Sequence, residues 1–509
     1  MSNGVQKLKT GIEGFDDISE GGLPHNRTTL LCGSAGSAKT VFASQFLANG
    51  ILKFGQAGVF VTFEESPEDI RQNIKSFGWN ISQWEQESKW IFVDASPDPD
   101  DNMIFTGEWD MGGLLARIAS AVKIVGAERV VLDSLGAVFS RFNQVGLIRL
   151  ELSKIAAALR RLNVTALMTA ERVQEYGEIS RFGVEEFVSD NVIILRNVLD
   201  EEKRRRTLEV LKFRGTNHQK GEFPFTIHSS KGITLSPLSS IELKQRSSNI
   251  RITSGNAELD KMCGGGFYRD SISLVSGATG TGKTLMVTEF ISGAYNNNEK
   301  VVLFAYEESK DQLFRNASGW GRDFERMEQE GRLLVVAVYP ESLSLEKHLI
   351  QVKEVIEDFK PNRVAVDSLS ALERVSTIRS FREFVIGITS FLKHQEIGVM
   401  ITATTSALLG GSSITEAHIS TVTDLIILLR YVEMFGEMYR GITLLKMRGS
   451  AHDKNIREFK IDGKGMHIGQ PFRNVTGILA GEPVFVKLGR SEKIRDLFLE
   501  DNDLAEEFE

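Results

Sequence analysis

The sequence predicts an α/β protein that contains two tandem copies of one domain, each a mainly parallel β-sheet flanked by helices. The first observation is that short apolar runs, typical of buried strands, alternate with longer amphipathic runs, typical of helices. In the first copy the strand-like runs are residues 29–32, 58–62, 129–132 and 164–168, and the helix-like runs are residues 40–52 and 112–125. The second observation is that five sequence blocks occur twice in the same order.

The repeated blocks define the domain organisation. Their offset falls from 244 residues at the first block to 234 residues at the last. A period this long indicates duplication of a whole domain rather than a solenoid of short repeats. We therefore predict a first domain at residues 1–240, a second at 241–481, and an acidic tail at 482–509 whose composition is typical of a mobile segment, with a joint near Ser236-Pro237.

Composition and charge exclude several classes of protein. The 509 residues include 60 basic and 68 acidic side chains, so the net charge is −8, whereas nucleic-acid-binding domains are usually basic. Only two cysteines occur, which excludes a disulfide scaffold and argues against a cysteine-based zinc site. We find neither a signal peptide nor an apolar run long enough to span a membrane. We therefore expect a cytoplasmic protein with no membrane partner.

The second copy contains a phosphate-binding loop (P-loop). Residues 277–284 fit the pattern Gly-x-x-x-x-Gly-Lys-Thr, after an apolar run and before a helix-like run, which is the context that this motif requires. Backbone N–H groups would surround the phosphates, Lys283 would reach the β- and γ-phosphates, and the Thr284 hydroxyl would bind Mg²⁺. The ATP-binding residues expected here are Gly280, Thr281, Gly282, Lys283, Thr284 and Leu285.

The first copy carries a variant P-loop at residues 33–40, in which Ala38 stands where the motif has its last glycine. Alanine is penalised only at positive φ, so we expect helical dihedral angles at Ala38. Lys39 and Thr40 are retained, and we predict that this loop also binds ATP. The residues expected to do so are Gly36, Ser37, Ala38, Lys39 and Thr40.

Acidic residues follow the apolar runs in both copies. Asp133 and Asp367 each end such a run, the position from which a carboxylate helps to hold Mg²⁺. The adjacent pairs Glu64-Glu65 and Glu307-Glu308 also end apolar runs. One carboxylate of each pair could polarise the attacking water or hydroxyl; a solvated acidic turn is the alternative.

Basic pairs occur late in each copy. Lys212-x-Arg214 and Lys446-x-Arg448 alternate along expected strands, so both side chains of a pair should project from one face. Such pairs suit stabilisation of a γ-phosphate held by a neighbouring subunit, and a charged edge strand is the alternative. We interpret the run Lys203-Arg-Arg-Arg206 as a solvated surface cluster, with a nucleic-acid patch as the alternative.

Together these blocks resemble the KaiC family, the duplicated RecA-like ATPases and autokinases of the cyanobacterial circadian clock. The resemblance covers nearly all of residues 7–475 and is most specific in residues 171–196 and 414–454. It implies two stacked rings in a homohexamer, with ATP and Mg²⁺ at the subunit interfaces. It also implies that the first copy is a slow ATPase, and that the second phosphorylates Ser420 and Thr421 and later removes the phosphates.

The resemblance also assigns roles to individual residues. It implies that Glu64 and Glu65 are the catalytic pair of the first copy and Glu307 and Glu308 that of the second, with Glu307 near Mg²⁺. Nucleotide contacts across the interface are implied for Lys212, Phe213, Arg214, Thr216 and His218 in the first copy and for Arg440, Lys446, Met447 and Arg448 in the second. It further implies an interface arginine at Arg382 and nucleotide-lining positions at Ser76 and Trp320.

The repeat itself distinguishes the two copies. At the offset of 234 residues, residues 188–190 align with 422–424, so Glu186-Phe187 falls opposite Ser420-Thr421. The first copy therefore has no hydroxyl group where the second has two. An ATPase-only copy and a kinase copy would produce this difference.

The tail departs from the family. From Arg490 onward it holds eight acidic and three basic residues and does not match the family segment that recruits KaiA. This argues against KaiA as a partner and indicates a divergent paralogue. The resemblance still implies a KaiB-like partner at the first ring, near residues 107–110, and a histidine kinase as output partner.

Two other functions remain open from the sequence. A RecA-type hexameric ATPase acting on single-stranded nucleic acid would need basic loops facing the ring channel, and this acidic sequence has no clear basic-aromatic loop in both copies. A signalling scaffold, in which ATP only holds the ring together, is the third interpretation.

Overall fold

The computed structural model describes residues 5–96, 111–139, 144–200, 203–235, 247–405, 419–473, 475–480 and 484–485. The chain divides into two compact units, Met1–Ile241 and Glu242–Glu509. The expected joint at Ser236-Pro237, the segment 107–110 and the tail from Arg490 lie outside the described residues.

The described part of the first unit contains the predicted alternation of strands and helices. Its strands are β1 Lys7–Leu8, β2 Leu23–Pro24, β3 Thr28–Gly33, β4 Gly58–Thr62, β5 Trp90–Asp94, β6 Arg129–Asp133, β7 Thr165–Glu171, β8 Asn191–Asp200, β9 Lys203–Phe213, β10 Glu222–His228 and β11 Gly232–Leu235. Its helices are α1 Phe15–Ile18, α2 Lys39–Phe54, α3 Pro67–Ile74, α4 Ile81–Gln86, α5 Met111–Val125, α6 Leu135–Phe139, α7 Val145–Arg161 and α8 Glu185–Val188. A short 3-10 helix spans Lys75–Phe77.

The described part of the second unit repeats this order. Its strands are β12 Arg251–Ile252, β13 Phe267–Tyr268, β14 Ile272–Gly277, β15 Val301–Ala305, β16 Leu333–Ala337, β17 Arg363–Asp367, β18 Gly398–Thr404, β19 Leu425–Met434, β20 Glu437–Met447, β21 Arg457–Asp462, β22 Gly465–Pro471, β23 Val475–Thr476 and β24 Val484–Phe485. Its helices are α9 Ala257–Met262, α10 Lys283–Asn296, α11 Lys310–Gly319, α12 Phe324–Gln329, α13 Leu345–Phe359, α14 Leu369–Arg374 and α15 Ile378–His394. Two 3-10 helices span Pro340–Ser342 and Ile478–Ala480.

Each unit has one large sheet, and the two sheets have the same topology. The strand order is β11-β10-β9-β8-β3-β7-β6-β4-β5 in the first and β22-β21-β20-β19-β14-β18-β17-β15-β16 in the second. In the first sheet the six neighbouring strands β8, β3, β7, β6, β4 and β5 are parallel, and in the second the six neighbouring strands β19, β14, β18, β17, β15 and β16 are parallel. The remaining three strands of each sheet are antiparallel. The mainly parallel α/β fold predicted from the sequence is therefore confirmed.

Strand residues alternate between two hydrophobic cores in each unit. In β3, Leu31 packs on the face that α2 covers, while Leu30 and Cys32 pack on the face that α5 and α7 cover. In β14, Val275 and Leu274 divide between two cores in the same way. Because both faces are covered, the parallel strands are mostly apolar. This burial fixes the strand register, and the register fixes which loops meet at each sheet edge.

Within the described residues, no helix combines the length and apolar character that crossing a membrane would require.

Candidate functional site

Both P-loops lie at the carboxyl ends of the parallel strands. Each one connects the central strand, β3 or β14, to the helix that begins at its lysine. Lys39 Nζ donates to the carbonyl oxygens of Gly33 and Ser34 at 2.9 and 3.0 Å. Lys283 Nζ donates to those of Gly277 and Ala278, both at 2.9 Å. Burial lowers the pKa of both lysines, so a phosphate anion at this position would stabilise their charge.

The expectation of helical dihedral angles at Ala38 is wrong. Ala38 has φ +76° and ψ +30°, in the left-handed region. Gly282, its counterpart, has φ +107°, so the P-loop backbone requires a positive φ at this position in both copies. An L-residue with a Cβ atom is strained there by roughly 1–2 kcal/mol. The first P-loop thus keeps the fold of the motif at an energetic cost.

Each strand-ending aspartate is held between two threonine hydroxyls. Thr40 Oγ1 donates to Asp133 Oδ2 at 2.7 Å, and Thr169 donates to the other carboxylate oxygen. In the second copy Thr284 Oγ1 donates to Asp367 Oδ2 at 2.8 Å, and Thr402 donates to the other oxygen. Burial raises the pKa of both aspartates, which are 9% exposed. The P-loop threonine therefore lies beside a buried carboxylate in both copies.

This donor set fits Mg²⁺. A hydroxyl and a carboxylate oxygen converge next to the P-loop, and Mg²⁺ prefers hard oxygen ligands and keeps several waters. A nearby cation would also favour the charged form of the buried aspartate. Thr40 with Asp133 and Thr284 with Asp367 are the residues that would hold the ion. Glu307 lies close enough to Asp367 to raise its pKa electrostatically.

The two glutamate pairs lie at the carboxyl ends of β4 and β15, next to the strands that carry the aspartates. Asn73 Nδ2 donates to Glu65 Oε2 at 3.2 Å, and Asn316 Nδ2 donates to Glu308 Oε2 at 2.9 Å. Arg374 Nη2 donates to Glu307 Oε1 at 2.6 Å, within the second copy. Each pair therefore faces the same sheet edge as its own P-loop.

Burial raises the pKa of one carboxylate in each pair. For Glu64 the next cause is the negative charge of Glu171, and for Glu308 it is that of Asp367. A carboxylate with a raised pKa is a stronger base in its ionised form. Glu64 and Glu308 can therefore each act as a proton acceptor.

The basic pair of the first copy lies at the opposite sheet edge from the P-loop. Lys212 Nζ donates to the carbonyl oxygens of Glu186 and Ser189 at 3.0 and 2.9 Å. Arg214 Nη1 lies 3.8 Å from Asp190 Oδ1. Lys212 lies on β9 as expected. Because β9 ends at Phe213, Arg214 lies one residue beyond the strand, in the following turn, and both side chains reach residues 186–190.

The second copy repeats this arrangement at its phosphoacceptor candidates. Lys446 Nζ donates to the carbonyl oxygens of Ser420 and Thr423 at 2.6 and 2.7 Å, and Arg448 Nη2 donates to that of Thr421 at 3.0 Å. Here too the arginine lies just beyond the strand, because β20 ends at Met447. These contacts support the alignment of Glu186 with Ser420. Thr421 is exposed and Ser420 half-buried.

The distance between the two sheet edges separates these groups within one chain. Asp424 N donates to Ile272 O at the beginning of β14, and Arg448 N donates to Asp424 O. The P-loop begins five residues later, at Gly277. At about 3.3 Å per strand residue, the acceptors and Arg448 lie roughly 16 Å from their own P-loop. The first copy has the same geometry, because Phe213 is level with Thr29 through Asn191.

Arg440 lies apart from Lys446 and Arg448 in the structure, although the resemblance implied nucleotide contacts for all three. Arg440 pairs with Tyr431 across β19 and β20, and its guanidinium lies 5.6 Å from the Tyr431 ring. The Tyr431 hydroxyl approaches Gly280 of the chain's own P-loop. Six residues of an extended strand separate Arg440 from Lys446, a span of about 20 Å. The resemblance had implied nucleotide contacts for all three residues, but the length of β20 places Arg440 and Lys446 at opposite edges of the sheet.

The remaining candidates occupy several places. Ser76 is exposed in the 3-10 helix after α3, and Trp320 is half-buried at the end of α11. Thr216 lines an open depression with Lys7 and Glu20, while the His218 ring lies 5.5 Å from that of Phe213. Buried positions are held by Ser37, Thr281, Leu285 and Met447, and Gly36 has φ +72° in the first P-loop.

Sequence reasoning missed five residues that the repeat could have identified, one of which is Arg149, the counterpart of the expected Arg382. Thr169 and Thr402 hold the strand-ending aspartates, and Asn73 and Asn316 hold the second glutamates. Arg149 and Arg382 are both exposed at the fifth residue of matching 17-residue helices, α7 and α15. Each pair recurs at an offset close to that of its neighbouring motif. Comparing the copies residue by residue would have revealed them.

Comparison with known proteins gives one family. The family model described as ATPase: KaiC matches residues 8–240 and, a second time, residues 252–472. The circadian clock protein KaiC3 of Synechocystis sp. is 66% identical over 497 residues, which are 98% of this chain and 98% of that protein. The circadian clock oscillator protein KaiC of Thermosynechococcus vestitus is 53% identical over 503 residues, 99% of this chain and 96% of that protein.

The left-handed alanine makes a prediction about stability. Ala38→Gly should stabilise the first unit by up to about 1 kcal/mol, because relief of roughly 1–2 kcal/mol of strain exceeds the contribution of one packed methyl group. Gly282→Ala should destabilise the second unit, since its new Cβ would lie 2.9 Å from Ile461 Cδ1. Thermal unfolding without nucleotide measures both effects. Shifts of the same sign in both variants would contradict the prediction.

The raised pKa of Glu64 makes a prediction about pH. A proton-accepting carboxylate must be ionised, so hydrolysis at the first site should fall as the pH drops through that raised pKa. Glu171→Gln removes a neighbouring negative charge that raises it, so the acid limb of the pH–rate profile should move to lower pH. Glu178→Gln, which changes an exposed carboxylate in the segment after β7, is the control. An acid limb that stays in place or moves upward in Glu171→Gln would count against Glu64 as the base.

Proposed function

Because the chain belongs to the KaiC ATPase family, we propose that it is an ATP hydrolase in its first copy and a serine/threonine autokinase and autophosphatase in its second. The observation that carries this proposal is the position of Ser420 and Thr421, beside a lysine–arginine pair and roughly 16 Å from their own P-loop. An acceptor so placed can meet only the ATP of another subunit. The relatives named as circadian clock proteins support a role in a clock or another timing or stress-signalling system.

The first copy has the groups needed for hydrolysis. Its P-loop amides and Lys39 would bind the phosphates, and Mg²⁺ beside Thr40 and Asp133 would neutralise charge on the phosphate oxygens. Glu64 would take a proton from the attacking water, whose oxygen forms a bond to the γ-phosphorus as ADP leaves. The copy lacks hydroxyl acceptors at Glu186 and Phe187, so water is the remaining nucleophile.

The second copy has a different nucleophile. The hydroxyl oxygen of Ser420 or Thr421 would attack the γ-phosphorus of ATP on the neighbouring subunit, ADP would leave, and Glu308 of that subunit's pair would accept the hydroxyl proton. Lys446 and Arg448 contact the backbone that carries the acceptors, so they would enter the same interface. Burial and the adjacent arginine lower the pKa of Lys446, and Lys212 has the same environment in the first copy.

Assembly follows from the same geometry. One face of each domain presents the P-loop and glutamates, and the opposite edge presents the cations and, in the second copy, the acceptors. Such a head-to-tail interface generates a ring when the rotation closes. We therefore propose a homohexamer of two stacked rings with ATP at every interface, in which Arg382 and its counterpart Arg149 also face the neighbouring subunit.

Family membership supports the partners and location that we propose, whereas the divergent tail argues against KaiA. A KaiB-like protein at the first ring and a histidine kinase as output are the partners we propose, without a requirement for KaiA, in the cytoplasm. Family membership supports the clock ATPase and autokinase over the alternative of a nucleic-acid-dependent ATPase.

Phosphorylation between subunits can be tested by complementation. A Lys283→Ala chain keeps both acceptors but should not bind ATP at the second site, and a chain with Ser420→Ala and Thr421→Ala keeps the P-loop but has no acceptor. Neither should be phosphorylated alone. In co-expressed mixtures, phosphopeptide mapping should find phosphate on Ser420 or Thr421 of the Lys283→Ala chain. Its absence from assembled mixtures would exclude transfer between subunits.

The division of labour makes a second prediction. Glu64→Gln with Glu65→Gln should lower steady-state ATP hydrolysis by about 10²–10⁴-fold at that site, the usual effect of losing a general base, and should leave phosphorylation possible. Glu307→Gln with Glu308→Gln should abolish most phosphorylation and leave hydrolysis. Phosphate release and phosphopeptide analysis of the same samples measure both activities. Equal loss of both in the two variants would show that the copies do not divide the chemistry in this way.

A further inference from the structure

The second P-loop has no hydroxyl group at a position from which the first P-loop contacts its own chain. Ser34, the second residue of the first P-loop, donates from Oγ to Glu175 Oε1 at 2.5 Å. Ala278 stands at this position in the second copy and has no hydroxyl group. The counterpart of Glu175 falls within residues 406–418, outside the described residues. The contact between Ser34 and Glu175 therefore depends on a serine that the second copy replaces with alanine. The hydrolysis mechanism proposed above does not use this serine.

Ser34 is the residue on which the internal hydrogen bonds of the first P-loop converge. Its carbonyl oxygen accepts from Lys39 Nζ at 3.0 Å, from Ser37 Oγ at 2.7 Å and from Ser37 N at 3.2 Å. A displacement of Ser34 would thus move the lysine that contacts the phosphates. The Ser34 hydroxyl connects this centre to Glu175.

Glu175 is in turn held by the central sheet. Its second carboxylate oxygen, Oε2, accepts from Asn197 N at 3.0 Å, and its backbone carbonyl accepts from Arg196 Nε at 3.2 Å. Both partners belong to β8 and are buried, at 6% and 7% exposure. Arg196 also forms ion pairs with Glu209 and Glu222, at 2.6 and 3.2 Å. The carboxylate is therefore fixed in place before it meets Ser34.

The hairpin of β8 and β9 contacts the first P-loop at a second point. Arg206 Nε on β9 donates to Gly36 O at 3.3 Å, and Arg204 Nη1 donates to Asn197 O at 2.8 Å. The interpretation of the run 203–206 as only a solvated surface cluster is therefore incomplete. Two of its arginines connect the hairpin to the first nucleotide site.

We propose that Glu175 is a positioning residue of the first nucleotide site, which acts through Ser34 to hold the P-loop in its phosphate-binding conformation. The proposal rests on nucleotide binding at this loop. A flexible loop loses conformational freedom when ATP binds, and this loss weakens binding. The contact between Ser34 and Glu175 orders the loop beforehand, so it increases the affinity for ATP. Glu175 touches neither the nucleotide nor the reacting atoms in this role. Its effect should therefore appear in KM for ATP rather than in kcat.

The test uses the full-length chain with Glu307→Gln and Glu308→Gln, so that steady-state hydrolysis reports the first site. In this background Ser34→Ala, which installs the residue of the second copy, should raise KM for ATP about tenfold, equivalent to about 1.4 kcal/mol, with kcat changed less than twofold. Ser34→Thr keeps the hydroxyl and should restore KM to within about twofold. Glu175→Ala should match Ser34→Ala, and the double variant should be no worse than either, because both remove one interaction.

Three outcomes would overturn the positioning role of Glu175. They are an unchanged KM for ATP in Ser34→Ala, a rise in KM in Ser34→Thr as large as that in Ser34→Ala, and additive effects on KM in the double variant. A KM below that of the parent in Glu175→Gln would also overturn this role, since the carboxylate would then act by repelling phosphate. Lys39→Ala separates this result from the proposed function. If Lys39→Ala retains hydrolysis, the proposal of ATP hydrolysis at this loop is overturned. If Lys39→Ala loses hydrolysis but Ser34→Ala leaves KM unchanged, only the positioning role of Glu175 is overturned.

Discussion

The polarity of the parallel strands is the constraint on which the rest of this structure depends. All six parallel strands of each sheet end at one edge, so the P-loop, the strand-ending aspartate and the glutamate pair converge there. The antiparallel strand that follows, β9 or β20, returns to the other edge, where Lys212 and Arg214 lie in the first copy and Lys446 and Arg448 in the second. About five strand residues, or roughly 16 Å, lie between the two groups. In the function we propose, one chain therefore holds two halves of an active site that it cannot join by itself.

In the function we propose, this separation allows the same fold to support two reactions. Phosphate binding, the metal-binding donors and the proton-accepting carboxylate belong to one edge and are nearly the same in both copies. The nucleophile belongs to the other edge, where Glu186-Phe187 in one copy faces Ser420-Thr421 in the other. Changing two residues at that edge replaces an acceptor hydroxyl without altering the ATP-binding machinery. In the proposed ring, the residues that the neighbouring subunit presents would decide the chemistry of each interface.

The two P-loops reach the same backbone geometry by different means. Gly282 has the required positive φ without strain, and Ala278 in its loop has no hydroxyl group that could form a hydrogen bond like that of Ser34. The first loop has a strained alanine at position 38 and additional contacts from Ser34 and Gly36 to the surrounding chain. A residue in an unfavourable backbone region persists only where its surroundings hold it. The contacts of the first loop are of the kind that can do so.

The sequence alone determined the two-copy α/β architecture, the P-loops, the aspartates and the glutamate pairs, because each is a local pattern at the end of an apolar run and each occurs twice. It also aligned Glu186 with Ser420 correctly through the repeat offset. Tertiary structure decided three things that local patterns do not contain. The left-handed backbone at Ala38 follows from the P-loop turn, the separation of Arg440 from Lys446 follows from strand length, and the contact of Ser34 with Glu175 joins residues 141 apart in the chain. Propensity and periodicity act over a few residues, whereas these features depend on how distant strands meet at the edges of one sheet.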